Sequence, residues 1–254
     1  MRGVTAVLLA QGLMVAGLCA ETVLTRAIEP YDAIQSLSCE IRRDSPLPGG
    51  SSARMLSRVY FQRGDRMHVE TVSPLARRIV CDGTNFRTHI EGMARGFGAP
   101  VSKLDDEMLG NLRSVPGSPE MALRPLADVV ETPLEATAEY PVRAAYDNGK
   151  TFTELSLDAQ GRLSRLEVFE SAARERLIAC TDYSAYREVL PGVWLATIQK
   201  TQATLRGQIR TETLRVVNLE VNGALPTSLF NPEAFFKGVE FVDAFEKLDG
   251  DKKK

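Results

Sequence analysis

The sequence predicts an α+β fold in which an antiparallel β-sheet takes up most of the chain. Long stretches alternate between apolar and polar residues with a period of two, which is typical of strands with one face in solvent. Glycine follows Asp, Asn or Gln between several of these stretches, and such pairs favour tight hairpin turns. Residues 101–130 break the alternation with apolar residues at helical spacing. We therefore expect a meander of hairpins that is interrupted by a small helical insertion.

Residues 1–20 have the layout of a secretory signal peptide, with a positive start at Arg2, an apolar stretch, and Ala20 as a small residue before the cut. The apolar stretch is short for a retained membrane anchor. Acylation of Cys19 would require a small residue directly before it, and a leucine stands there instead. The sequence therefore predicts an exported protein, soluble in the periplasm after cleavage near Ala20–Glu21. A lipoprotein anchored at Cys19 is the second alternative.

The charge of the chain is nearly balanced, with 31 Lys and Arg against 33 Asp and Glu and a formal net charge of −2 at pH 7. A basic block occurs only in the terminal "DKKK". This pattern predicts no nucleic-acid partner. We expect residues 21–245 to form a single domain and residues 246–254 to form a flexible charged tail.

Three cysteines remain after the predicted cleavage, namely Cys39, Cys81 and Cys180. Their number is odd, their spacings are long and no CxxC pair occurs, so we predict no structural zinc site. In an oxidising compartment two of the three could form a disulfide. The sequence leaves open which two.

The first half of the chain begins with helical spacing at residues 22–36, interrupted by Pro30. The segments 36–43, 54–62 and 67–72 then alternate as strands. The residues that share one side of the last two strands are Met55, Ser57, Val59, Phe61, Met67 and Val69.

The segment "RRIVCDGTNFRTH", residues 77–89, combines a cysteine, an aspartate and a histidine. Asp82–Gly83 between two alternating stretches predicts a hairpin turn in which both central residues adopt φ > 0. A catalytic pair of Cys81 and His89 is the alternative, but nothing nearby completes a set of nucleophile, base and orienting group. We therefore predict a turn between two strands.

Two short amphipathic helices are predicted within residues 101–130. The first has Ser102 as its N-cap, and the second opens at Ser118–Pro119 and is broken near Pro125. The apolar residues on one face of the first helix are Leu104, Met108, Leu109 and Leu112. Those of the second helix are Leu123, Leu126 and Val130. From residue 134 onward the chain alternates as strands again and ends in an aromatic cluster.

Four segments together resemble the periplasmic family that carries and sorts outer-membrane lipoproteins, the LolA/LolB-like proteins. They are "VYFQRGDRMHVE" (residues 59–70), "RRIVCDGTNFRTH" (77–89), "YREVLPGVWLATIQ" (186–199) and "LRVVNLEVNGALPTSLFNP" (214–232). The resemblance covers most of the mature chain in order. At Gly64 and Arg87 the chain departs from the family pattern, which has a proline and an aromatic residue there.

The resemblance implies a strongly curved antiparallel β-sheet, an unclosed barrel, with helices covering its concave face. It further implies an apolar cavity between the sheet and a helical lid, in which lipid acyl chains are held. Arg63 matches an arginine that hydrogen-bonds the lid and helps to close it. The residues expected at this cavity and lid are Arg63, Val59, Phe61, Met67, Val69, Leu104, Met108, Leu109 and Leu112.

Elementary geometry agrees with this expectation. A half-barrel has a concave face that is too wide for its own side chains to fill, and the helices of residues 101–130 could cover it. The flexible thioether of Met108 would suit ligands of varied shape. The alternative is that Leu104, Met108, Leu109 and Leu112 are ordinary core residues.

The function that the resemblance implies is a periplasmic binding or carrier protein for lipid acyl chains, acting in the sorting of lipoproteins to the outer membrane. The expected partners are lipid or lipoprotein acyl chains and membrane-associated donor and acceptor proteins, with no cofactor and no metal. A periplasmic sensor or regulatory module of the same fold is an alternative. An enzyme is a further alternative, which the lack of P-loop, GxSxG, HExxH and zinc patterns disfavours, and we predict no catalytic residues.

Overall fold

The computed structural model describes residues 21–47, 51–205 and 207–248. The strands within these ranges are β1 (Ser36–Pro46), β2 (Ser52–Gln62), β3 (Arg66–Ser73), β4 (Arg77–Asp82), β5 (Asn85–Ile90), β6 (Arg95–Pro100), β7 (Glu131–Pro133), β8 (Val142–Asp147), β9 (Phe152–Leu157), β10 (Leu163–Phe169), β11 (Leu177–Leu190), β12 (Val193–Leu205), β13 (Gln208–Val221) and β14 (Glu240–Val242). The α-helices are α1 (Val23–Ile28), α2 (Asp106–Arg113), α3 (Glu120–Leu123) and α4 (Pro232–Phe235). Short 3₁₀ helices cover Glu29–Ala33, Val101–Lys103, Arg124–Leu126, Thr227–Phe230 and Phe245–Lys247.

All of these strands belong to one sheet, in the order β14-β6-β5-β4-β3-β2-β1-β13-β12-β11-β10-β9-β8-β7. Neighbouring strands are antiparallel except β14, which runs parallel to β6. The end strands β14 and β7 are not paired with each other, so the barrel stays open. The predicted α+β class and unclosed antiparallel sheet are confirmed.

The predicted signal peptide, residues 1–20, lies outside the described residues. So do residues 249–254, which are most of the predicted charged tail. In the described ranges, no helix combines the length and the apolar character needed to cross a membrane.

The inner face of the sheet carries two apolar cores. Core 1 lies between the inner sides of strands β1–β6, β12 and β13 and the covering residues 101–115. Core 2 lies between strands β8–β12 and helices α1 and α3. Alternation along each strand places every second side chain in these cores and leaves the others on the outer face. The long sheet therefore needs two separate helical covers, and the one over core 1 is the subject of the site described below.

The segment 77–89 forms the predicted hairpin. Cys81 pairs with Phe86, and Asp82 Oδ1 accepts hydrogen bonds from the backbone N–H groups of Thr84 and Asn85 at 2.8 and 2.7 Å. The expected turn type was wrong, because Gly83 adopts φ +96° while Asp82 stays in the strand. The reason is that four residues, 82–85, separate the paired Cys81 and Phe86. The carboxylate of Asp82 accepts hydrogen bonds from the backbone of this turn, so Asp82 is not one of two central turn residues.

Gly83 is required for a second reason, the close approach of another turn. A Cβ atom built on Gly83 would lie 2.8 Å from the carbonyl oxygen of Gly64, whereas one built on Gly64 would have no described atom within 4 Å. Both residues have similar left-handed backbones, at φ +96° and +90°. Gly64 is therefore a matched control in which only the backbone strain is present.

We expect Gly83→Ala to lower the free energy of unfolding by about 1–3 kcal/mol from strain alone, and by more because of the contact. Gly64→Ala should cost less. Guanidinium denaturation of both variants measures the difference. Equal costs would contradict the close approach of the two turns.

The helical insertion differs from the prediction in its details. The N-cap of α2 is Asp105, whose Oδ1 accepts from the N–H of Met108 at 2.8 Å, and Ser102 lies in the preceding 3₁₀ helix. Ser102 is thus wrong as the cap, because Leu104 has an extended backbone that separates the two turns. Val130, predicted on the apolar side of the second helix, is 83% exposed because that helix ends before it.

The three cysteines are free thiols. Cys39 and Cys81 are buried on the inner sides of β1 and β4, with β2 and β3 between them, which places them roughly 14 Å from each other by strand spacing. That separation is too long for a disulfide. Burial raises the pKa of the Cys39 thiol to about 12 and that of Cys81 to about 11. Both therefore behave as apolar core residues, and the disulfide left open by the sequence is not formed.

The outer face of β3 and β4 is covered by the C-terminal part of the chain. His68 is only 4% exposed, and its ring lies 4.5 Å from that of Phe235 in α4. Neither ring nitrogen has a hydrogen-bond partner among the described residues. Burial and the nearby Arg78 guanidinium lower the pKa of His68, and they outweigh the opposing effects of Glu70 and of the backbone of Leu229.

A lowered pKa in the folded state means that the unfolded chain binds the proton more tightly. Stability should therefore fall as the pH drops below about 6.5, by at most about 1.4 kcal/mol per pH unit. We expect His68→Phe to remove this part of the pH dependence between pH 7.5 and 5.5 in guanidinium denaturation. His89→Gln is the control, and an identical pH dependence in His68→Phe and the parent protein would contradict the assignment.

Candidate functional site

The inner side of β2 and β3 forms the floor of the candidate site. Val59, Phe61 and Met67 are buried in core 1, and Val69 is half-buried against it. The pairing of Phe61 with Met67 and of Val59 with Val69 sets these four side chains next to one another. The residues predicted on one side of each strand therefore lie together on the sheet.

Helix α2 covers this floor. Leu112 is 1% exposed and Leu104, just before the helix, is 8% exposed, and both belong to core 1. Met108 and Leu109 are half-buried and pack against the same core. In this structure the covering residues and the floor are thus packed on each other.

Arg63, in the turn between β2 and β3, ties three parts of the chain together. Its Nε donates to the carbonyl oxygen of Ile34 at 3.2 Å, and its Nη2 donates to that of Tyr31 at 2.9 Å. Its Nη1 donates to the carbonyl oxygen of Arg113, the last residue of α2, at 2.7 Å. The guanidinium therefore holds the C-terminal end of α2 against the turn and the N-terminal segment.

Glu120 accepts the remaining bond of Arg63, at 3.2 Å from Nη2 to Oε1. The residue is 0% exposed. Its Oε1 also contacts the guanidinium of Arg124, and its Oε2 accepts from the N–H of Val115 at 2.5 Å and from Ser118 Oγ at 3.2 Å. A buried carboxylate is stable here because two guanidiniums and two neutral donors satisfy it. We refer to Arg63, Glu120 and Arg124 as the latch.

A second contact joins the same turn to α2. Arg113 donates from Nε and Nη2 to the two carboxylate oxygens of Asp65, at 3.0 and 3.1 Å. The Arg113 side chain is 54% exposed, so water screens this pair and we expect it to contribute about 1 kcal/mol or less. The latch is therefore the stronger of the two contacts.

The latch borders an open pocket of about 450 Å³. Its apolar floor is made by Phe61 and Leu112, which are each 1% exposed. Its polar rim is made by Asp32, Gln35, Arg63, Asp65, Arg113 and Arg124. We call this pocket the mouth, because its floor belongs to core 1 and its rim to the groups that hold α2 in place.

Sequence reasoning missed most of the latch. An acidic residue in the first turn of a helix is favoured by the helix dipole and usually faces solvent, so "SPE" gave no sign that Glu120 is buried. Arg124 and Asp65 carried no distinguishing signal either. Tertiary contacts alone bring these residues together with Arg63.

The alternative catalytic pair is not assembled. The side chain of Cys81 is in core 1. Its partner across the hairpin, Phe86, lies on the same inner face, so His89, three residues after Phe86, lies on the outer face. The Nε2 atom of His89 is 3.0 Å from the carbonyl oxygen of Met93. Among the described residues, no group of three or more His, Cys, Asp and Glu side chains could hold a metal ion.

No protein-family model matches the sequence, and no curated protein sequence matches it. Solved structures do match. A LolA superfamily protein from Nitrosomonas europaea covers 84% of this chain and 97% of its own, with a TM-score of 0.53 and 13% identity. The chain has a LolA-like fold.

Two further solved structures share this LolA-like fold. A putative outer membrane lipoprotein-sorting protein domain from Vibrio parahaemolyticus covers 83% of this chain and 97% of its own, with a TM-score of 0.53 and 14% identity. A DUF1329 family protein from Desulfovibrio piger covers 84% of this chain and 95% of its own, with a TM-score of 0.54 and 13% identity. At these identities the likeness establishes the fold, and function has to be argued from the site.

Proposed function

We propose that this protein is a periplasmic carrier that binds lipid acyl chains, takes part in sorting lipoproteins to the outer membrane, and is not an enzyme. The observation that carries the proposal is the apolar inner face of β2 and β3 under α2, with a polar latch at its mouth. Export with cleavage near Ala20–Glu21, and a single domain over residues 21–245, are part of the proposal.

The chemistry of the site suits an acyl chain. Outward movement of α2 would expose Phe61, Met67 and Leu112, which are buried now. An acyl chain that replaces the packing of α2 gains about 0.8 kcal/mol for each methylene removed from water. Such binding needs no directed polar groups along the acyl chain. The floor is apolar except at Ser57 and Thr71, whose hydroxyl groups are hydrogen-bonded to each other at 2.9 Å.

The contacts of the latch are suited to holding α2 closed over the floor while still allowing it to open. It joins α2 to the sheet through charged groups at the mouth, and these groups can be rehydrated as they separate. The side chain of Arg63 is 23% exposed, which leaves it accessible to water from the mouth. We infer that loading requires the latch to open and that release of the acyl chain allows it to close again.

Partners follow from the same reasoning. The donor and the acceptor would be membrane-associated proteins, because acyl chains have negligible solubility in water and must be handed over directly. The likeness to a lipoprotein-sorting domain from Vibrio parahaemolyticus supports this choice of cargo.

The decisive experiment is native mass spectrometry of the full chain purified from the periplasm, combined with titration of a fluorescent fatty-acyl probe. We expect a co-purifying acyl species and saturable probe binding with one site. A protein that carries no acyl species and does not bind the probe would contradict the proposal.

Arg63→Leu should raise the affinity for the acyl probe by about tenfold, because it removes about 1.4 kcal/mol or more from the closed, empty state. The control is Arg58→Leu, in which an exposed arginine of β2 loses its ion pair with Glu70 on the outer face. Probe titration measures both variants. An unchanged affinity in a folded Arg63→Leu protein would show that Arg63 does not oppose opening.

A further inference from the structure

The C-terminal strap, residues 227–248, wraps around one edge of the sheet. Its first part, which contains α4, lies on the outer face of β4 and β5. Its strand β14 then pairs in parallel with the edge strand β6. Its last part reaches the inner side, where Phe245 stacks on Phe97 at 4.2 Å and Leu248 packs against core 1. The edge of β6 is therefore covered by a segment of the same chain.

The outer side of β6 has a seat for an aromatic ring. A Cβ atom built on Gly98 would lie 3.2 Å from Phe241 Cδ1, and one built on Gly96 would lie 2.6 Å from Phe241 Cε1. Neither glycine has a positive φ, so the strand backbone of β6 does not itself require them. At Gly98 the three atoms nearest to such a Cβ all belong to Phe241, so the missing side chain there makes room for an aromatic group.

One arginine, Arg87, lies beside this seat on the outer face, and a second, Arg95, lies at the same edge but projects to the other face, because it precedes Gly96 in the strand. The guanidinium of Arg87 lies 4.9 Å from the centre of the Phe241 ring and pairs with Glu233 at 2.7 Å. Arg95 pairs with Glu240, the residue before Phe241, at 3.3 Å. The seat thus selects an aromatic ring by stacking on a cation, and an acidic neighbour by charge.

The contact between β14 and β6 is short. It pairs three residues, Glu240 to Val242, in the parallel arrangement, which is the less stable one per residue. An edge strand with unpaired backbone groups is a template onto which an extended segment of another protein can add. A longer segment that carries the same side chains would therefore compete with β14.

We propose that the edge of β6 is a docking site for an extended, acidic segment of a partner protein that carries an aromatic residue. In the free protein β14 occupies the site as an internal competitor. The partner strand pairs with β6, its aromatic ring replaces Phe241 over Gly98, and its acidic residues pair with Arg87 and Arg95. The seat for the aromatic ring lies on the face of the sheet opposite to core 1, so this docking site is distinct from the acyl-chain site.

The test uses the full chain and a fluorescein-labelled peptide with the sequence of residues 237–248, "KGVEFVDAFEKL". We expect the peptide to bind Phe241→Ala protein at least tenfold more tightly than the parent protein, because the internal competitor is weakened. A peptide in which the phenylalanine that corresponds to Phe241 is alanine should lose this binding.

Two variants locate the site in the Phe241→Ala background. Gly98→Leu fills the seat and should abolish peptide binding, and Arg87→Gln should weaken it severalfold. Arg42→Gln is the matched control, because Arg42 is an exposed arginine on β1 that pairs with Glu40. Absence of binding to the folded Phe241→Ala protein at millimolar peptide, or binding that survives Gly98→Leu, would overturn the proposal.

Hydrogen exchange of the parent protein gives a test that does not depend on a variant folding. We expect the amides of residues 240–242 to exchange through local opening at least tenfold faster than those of β5, and added peptide to protect the amides of β6. If residues 240–242 exchange only with global unfolding, β14 is a fixed part of the sheet and the proposal is wrong.

Discussion

The double variant Met108→Asp, Leu112→Asp should bind the fluorescent fatty-acyl probe at least tenfold more weakly than the parent protein, while its sheet remains folded. Leu112 is 1% exposed and Met108 packs on the same core, so both charges would be placed on the face of α2 that we propose to contact the acyl chain. A loss of about tenfold or more corresponds to at least about 1.4 kcal/mol, which is modest for two carboxylates in an apolar contact. Probe titration measures the loss, and circular dichroism checks the sheet.

Asn111→Asp is the matched control, since it adds a carboxylate to the exposed side of the same helix. It should leave probe binding unchanged. If the double variant unfolds the sheet, α2 is an ordinary part of the core and the lid is contradicted. If the double variant binds the probe as well as the parent protein does, the acyl chain does not contact α2.

Glu120→Ala should lower the free energy of unfolding by about 3–5 kcal/mol, which for a domain of this size lowers Tm by about 6–20 °C. The carboxylate is 0% exposed, and its removal leaves Arg63 and Arg124 with only the exposed Asp32 as a shared carboxylate partner and the N–H of Val115 without its acceptor. A buried donor left without an acceptor costs about 1–3 kcal/mol, and each lost hydrogen bond to a charged group costs about 1.5–3 kcal/mol.

Thermal and guanidinium denaturation measure this cost. Glu120→Gln should be less damaging than Glu120→Ala, because the amide oxygen still accepts a hydrogen bond. The control is Glu107→Ala on α2, where the glutamate is exposed. A Glu120→Ala protein as stable as the control would show that the latch does not contribute to stability.

The C-terminal strap illustrates what sequence reasoning could not assign. The departure of Arg87 from the family pattern had no explanation in the sequence, and the structure shows its guanidinium over Phe241 and paired with Glu233. Arg87 is about 150 positions away from Glu233 and Phe241 along the chain, and no local pattern relates it to them. The same holds for His68, whose burial depends on α4 and not on its own strand.

The sequence by itself determined the fold class, the strands β2 to β5, the hairpin at Gly83 and the apolar faces that meet in core 1. These features follow from periodicity and from the backbone freedom of glycine, which are local properties of the chain. Only the tertiary structure decided which polar groups close the site, that Glu120 is buried beside Arg63 and Arg124, and that β14 covers the edge of β6. Glu120 has local partners in Val115, Ser118 and Arg124, but the contact that ties it to the sheet is with Arg63, 57 positions away. The burial of a charge and its distant partner depend on how the chain packs, and no local pattern contains them.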